Sequence, residues 1–151
     1  MTTDGLAELD WAVRTSIYED FATTGRAPAI GALAARHGVT EHRIHTSLDR
    51  LFAAHEIARL PGGGVWMANP FSGVPTDFGV ETSEMSCWAN CAWDALGVLA
   101  ITGSDGWIRT HCAQSGDPLE FGVTDGALTG DPGVIHLVTP IRDAWVDIGF
   151  T

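Results

Sequence analysis

The sequence predicts an α+β protein, and three observations carry that prediction. Apolar residues recur at helical spacing through residues 11–52. Short alternating or β-branched runs occupy most of 57–138, and one apolar helix interrupts them at about 90–101. The 151 residues suffice for one ordinary core or for two small lobes sharing an interface. A boundary is expected at Asn69-Pro70. Residues 1–69 then form a winged-helix-like lobe of three helices, and 70–151 an α+β core with a small mixed sheet around the central helix.

Trp11, Val13, Ile17, Tyr18 and Phe21 define the first helix, with Gly25 as its stop. Pro28 opens a second, which buries Ile30, Leu33 and Ala34 and closes at His37-Gly38. Thr40 caps a third, whose buried stripe is Ile44, Leu48, Leu51 and Phe52. Residues 57–60 and 65–68, joined by Pro61-Gly62-Gly63-Gly64, read as a hairpin, which completes the winged-helix pattern. In the second part 78–82, 107–111, 119–124 and 134–138 read as strands, and 143–148 as the start of a helix.

Charge narrows the function. The chain carries −11, with no lysine. Residues 1–70 hold six arginines against eight acids, and 71–151 two arginines against eleven. Nucleic acid demands a basic surface, and the exposed positions expected on the third helix (Glu41, His42, Arg43, His45, Asp49, Arg50) show no positive excess. No apolar run approaches the roughly 20 residues that span a bilayer, and Met1–Asp10 is acidic and polar, unlike a signal peptide. A cytoplasmic protein without a membrane partner is expected. Its three cysteines, an odd number, suit a reducing compartment.

The chemistry concentrates at Asn90-Cys91-Ala92-Trp93-Asp94, at the expected start of the apolar helix. Residues three apart share a helical face, so the Cys91 thiol and Asp94 carboxyl converge on one small target. Free N–H groups at the helix start stabilise a thiolate there. The same residues also fit an inert buried cysteine beside a solvated aspartate. Cys87 either shares a helical face with Cys91 or is buried on a strand. His37, His42, His45 and His55 have no matched cysteine or carboxylate set, and no nucleotide-binding glycine pattern occurs. Trp88, Trp93 and Trp107 read as core or pocket walls.

The run Trp88-Ala89-Asn90-Cys91-Ala92-Trp93-Asp94-Ala95-Leu96-Gly97, followed by Thr110-His111-Cys112-Ala113-Gln114-Ser115-Gly116-Asp117-Pro118-Leu119, resembles the organomercurial (alkylmercury) lyase family over about residues 70–151. The resemblance implies a mercury-detoxifying enzyme that takes a small organomercurial or other thiophilic substrate and needs no cofactor, mercury being substrate and product. It implies that Cys91 is the soft nucleophile and Asp94 the proton carrier, with Cys91 and Asp94 as candidate ligands to the metal; Cys112, after His111, reads either as a further ligand or as packing and support for its loop. Two other readings stand beside it: a thiol-based mercury-binding or soft-metal-binding protein without turnover, and an acidic winged-helix, metal-responsive regulator. The family pattern has a further essential cysteine in the region where the sequence reaches Phe150-Thr151. Three explanations stand open there: an incomplete enzyme, another thiol in its place, or a second soft ligand past Thr151, as cysteine or as selenocysteine read from a UGA codon.

Overall fold

The computed structural model describes residues 6–149. A second soft ligand past Phe150-Thr151 would lie outside the described residues. Three helices come first: α1 (Glu8–Thr24), α2 (Ile30–His37) and α3 (Glu41–Ala53). The hairpin β1 (Ala58–Arg59) and β2 (Val65–Ala68) follows, then β3 (Phe71–Ser72), β4 (Gly79–Thr82) and β5 (Ser86–Ala89). Helix α4 (Ala92–Thr102) leads to β6 (Gly106–His111), β7 (Pro118–Thr124) and β8 (Ala127–Gly130), and Ile141–Val146 forms a 3₁₀ turn.

The chain has the expected α+β class, but the sheet is not mixed. All eight strands are antiparallel, in the order β1-β2-β3-β5-β4-β6-β7-β8. The physical reason lies in the connections. Most neighbouring strands are joined by turns of a few residues, which permit only antiparallel pairing. Even α4, which carries the chain from β5 to β6, delivers β6 to the far side of β4 rather than beside β5. Residues 134–138, expected as a strand, join no ladder, and the helix expected from 143 is the short 3₁₀ turn.

Caps explain where the helices stop and how they meet the sheet. Asp10, in the first turn of α1, reaches back to the Ala7 N–H at 2.8 Å. Gly25 ends α1 at φ +70, and a Cβ there would lie 2.1 Å from the Ser86 carbonyl oxygen. Only glycine lets the end of α1 rest on β5, the strand that leads into Cys91. Thr40 Oγ1 caps α3 by accepting from Arg43 N at 3.3 Å.

One apolar core runs from the helices into the sheet, including Val13, Ile17, Phe21, Leu48, Phe71 and Ile108. Phe21 stacks on Phe71 with centroids 5.1 Å apart, tying α1 to β3. Opposed pairs across β5, β4 and β6 put Cys87, Val80 and Ile108 on this buried face. Trp88, Arg109 and Trp107 take the other face, as the two-residue alternation of strands requires. Trp88 is half-buried beneath the Arg26 guanidinium, 4.6 Å from the ring, while Trp93 is 66% exposed and Trp107 39%. None of the three belongs to the core. Among the described residues no helix is long and apolar enough to cross a membrane.

Candidate functional site

Three segments build the site. Strand β5 ends at fully buried Ala89, whose N–H donates to the Phe78 carbonyl at 3.0 Å. The chain then turns through Asn90 into α4, with Cys91 as the N-cap in extended backbone (φ −152, ψ −179). The third segment is the turn between β2 and β3, with the Asn69-Pro70 bond cis. Pro70 is buried against α4, and a Cβ at Gly97 would come within 3.1 Å of its ring. A small residue at 97 therefore lets the helix lie close to this turn.

Cys91 and Asp94 are brought together. The Cys91 sulfur accepts from the Asp94 backbone N–H at 3.4 Å, as an N-cap side chain does, and the Asp94 carboxyl lies beside the thiol. Both groups are half-buried. Burial pushes the Cys91 thiol up, the Asp94 N–H opposes this, and the neighbouring carboxylate raises it again. The N-terminal position by itself was expected to favour the thiolate. Here desolvation outweighs the helix N–H groups. Burial also raises Asp94 above the usual carboxylate range, against hydrogen bonds from Asn90 and Cys91. The pair thus retains protons that free carboxyl and thiol groups would release earlier.

Asn90 and Asn69, which the sequence analysis did not single out, complete the polar surroundings. Asn90 Nδ2 donates to Asn69 Oδ1 at 2.9 Å, to the Phe71 carbonyl at 3.2 Å and to Asp94 Oδ2 at 3.2 Å. The Tyr18 hydroxyl donates to the Asn69 carbonyl at 3.0 Å, linking α1 to the same turn. Asn90 lay inside the motif, and a polar residue between a buried strand end and a cap was the signal available.

Cys112 follows β6. Strands β5 and β6 flank β4 and run the same way, so Cys91 and Cys112 leave the sheet at one end. Their strands are two spacings apart, roughly 10 Å. The structure does not bring Cys112 to the pair: among the described residues no three His, Cys, Asp or Glu side chains form a metal-holding group. Instead Cys112 sits in a turn, its N–H donating to the Asp117 carbonyl at 2.8 Å. The Ser115 hydroxyl, with the N–H groups of Ser115 and Gln114, holds its thiol below the usual range. Cys87 is a strand residue, 3% exposed, with its thiol pushed up to about 11 by burial.

Two clefts lie away from the pair. One of about 170 Å³ is lined by Arg26, Glu81, Trp88 and Arg109, and one of about 400 Å³ by Thr110, His111, Leu119 and Asp131. Neither includes Cys91 or Asp94.

The family model for alkylmercury lyase (MerB) matches residues 71–149, just over half of the chain. No curated protein matches it. Among solved structures the fold is similar to one described as the mercury-bound form of MerB2, with a TM-score of 0.67 at 21% identity over 83% of this chain. The match covers 61% of that structure's chain, so this chain spans about three fifths of its length.

Proposed function

The chain belongs to the alkylmercury lyase family, and on that premise we propose that it cleaves carbon–mercury bonds by protonolysis, with Cys91 as nucleophile and Asp94 as proton carrier. The observation that carries this reading is the thiol–carboxyl pair in the first turn of α4, half-buried and protonated more readily than either group in water. The similarity to a mercury-bound structure supports mercury as the metal concerned.

The chemistry follows from softness and proton balance. A sulfur ligand prefers a soft metal, so Cys91 Sγ bonds to the mercury of an incoming R–Hg⁺. The thiol proton passes to the adjoining Asp94 carboxylate. The resulting carboxylic acid protonates the carbon, and the bonding pair of the C–Hg bond becomes the new C–H bond. The hydrocarbon leaves, and the mercuric ion stays on the Cys91 sulfur with the Asp94 carboxylate as counter-charge. An added thiol then takes the ion away, which makes repeated turnover dependent on the thiol supplied. Incubation with a phenylmercury salt tests the reading: benzene release requires protonolysis, whereas one-to-one capture without benzene identifies a binding protein.

A further inference from the structure

We propose that Asn90 is a positioning residue for this reaction: its amide holds Asp94 Oδ2, so that the other carboxyl oxygen is the one left to face the Cys91 sulfur and the carbon to be protonated. The inference rests on the protonolysis reading and adds a residue to it.

The backbone of Asn90 is fixed on both sides. Ala89 before it pairs with Phe71 across β3–β5, and Cys91 after it caps α4. Its side chain therefore bridges strand, turn and helix. Nδ2 faces three oxygen acceptors, Asn69 Oδ1, the Phe71 carbonyl and Asp94 Oδ2. Three acceptors on one side settle which end of the amide is nitrogen. Among the described residues the opposite end is unserved: Asn90 Oδ1 is buried there with no hydrogen-bond partner. A buried acceptor without a donor is a net desolvation loss, so the amide is costly to the fold on that side. Its use lies in the donor, and the donor reaches the proton carrier. A carboxyl free to rotate would present either oxygen at varying angles, and an error of about 1 Å in a reacting group is enough to slow a reaction roughly 100-fold.

The test compares wild type, Asn90→Leu and Asn90→Ser with phenylmercury acetate, following capture by mass spectrometry and benzene release in a single turnover. Leucine keeps the shape and removes both the donor and the unserved acceptor. The expected result is capture within about twofold of wild type and release slowed about 10- to 100-fold, with only a small fall in melting temperature from the acceptors that lose their donor. If Asn90→Leu does not fold, Asn90→Ser gives the same split, with partial recovery through its hydroxyl donor. Release within threefold of wild type overturns the role of Asn90 alone. Capture, release and melting temperature falling together also overturn it, because a packing role moves all three. Absence of benzene from wild type itself overturns the protonolysis reading, and this inference with it.

Discussion

Asp94→Asn separates the two halves of the proposed reaction. Asparagine is nearly isosteric, and its carbonyl oxygen can still accept from Asn90 Nδ2, the contact now 3.2 Å long. The Asp94 backbone N–H, which caps the Cys91 sulfur at 3.4 Å, is unaffected. Capture by Cys91 should therefore survive. Cleavage should not, because an amide cannot deliver a proton, and removal of a general acid slows a step by roughly 10²–10⁴. At about 1.4 kcal/mol per tenfold this is about 3–5 kcal/mol of barrier. Stability should move the opposite way. Burial raises Asp94 in the fold, so its favourable contribution is present at low pH and is lost as pH rises through the raised value. At pH 8 the folded protein carries a charge its surroundings disfavour, and the neutral amide removes it. Asp94→Asn should melt higher than wild type at pH 8, with the gap shrinking as pH falls through the raised value and closed by about pH 4. Single-turnover benzene release, mass-spectrometric capture and thermal melts at the two pH values check all three parts. Cleavage within tenfold of wild type, or capture and cleavage lost in equal measure, would refute the role given to Asp94.

Three further outcomes are expected. Cys91→Ser should lose mercurial capture while melting close to wild type, because serine is a good N-cap but a hard, poorly ionised ligand; retained turnover would remove Cys91 from the mechanism. In folded protein at pH 8 a thiol reagent should label Cys112 readily and leave Cys87 unmodified, since Cys87 is 3% exposed with its thiol near 11; peptide mapping that finds Cys87 modified at a comparable rate would contradict its burial. Asp10→Ala should lower unfolding free energy by about 1–3 kcal/mol at pH 7, as it leaves the buried Ser47 hydroxyl without its acceptor and removes the hydrogen bonds from Arg50, which itself stays solvated; these bonds to the carboxylate are 2.6–2.8 Å long. Although burial pushes Asp10 up, its hydrogen bonds from Arg50, Ser47 and Ala7 hold it below its usual value. Its contribution is thus present above about pH 4 and lost on acidification. A urea-measured difference that stays constant down to pH 2 would refute that linkage.

The helical half was largely legible because its punctuation is local. Gly25 and Gly38 act through their own backbone and Thr40 through its own hydroxyl, so the ends of α1 and α2 and the start of α3 could be read from sequence. The sheet was less legible because pairing depends on distant partners. Residues 134–138 are rich in β-branched residues like a strand yet join no ladder, whereas Ala127–Gly130, with weaker strand residues, pairs with β7. There the decisive signal was Asp125-Gly126, both at positive φ between Thr124 and Ala127, a two-residue hairpin turn that was overlooked. Strand β3 was missed because two residues give no period. At the start of α4, helical spacing set Cys91 beside Asp94, as the structure has them, but the net shift of the thiol depends on burial that spacing does not report. The Asn69–Asn90 contact joins residues 21 positions apart through the sheet, and nothing in the local sequence announces it.

Benzene measured by gas chromatography after wild-type protein meets phenylmercury acetate, with excess thiol, tests the central claim most directly. The account predicts at least one benzene per chain, abolished in Cys91→Ser and slowed at least 100-fold in Asp94→Asn. Stoichiometric mercury bound at Cys91 with no benzene formed would contradict it, and would make the thiol–carboxyl pair a capture site rather than a catalytic one.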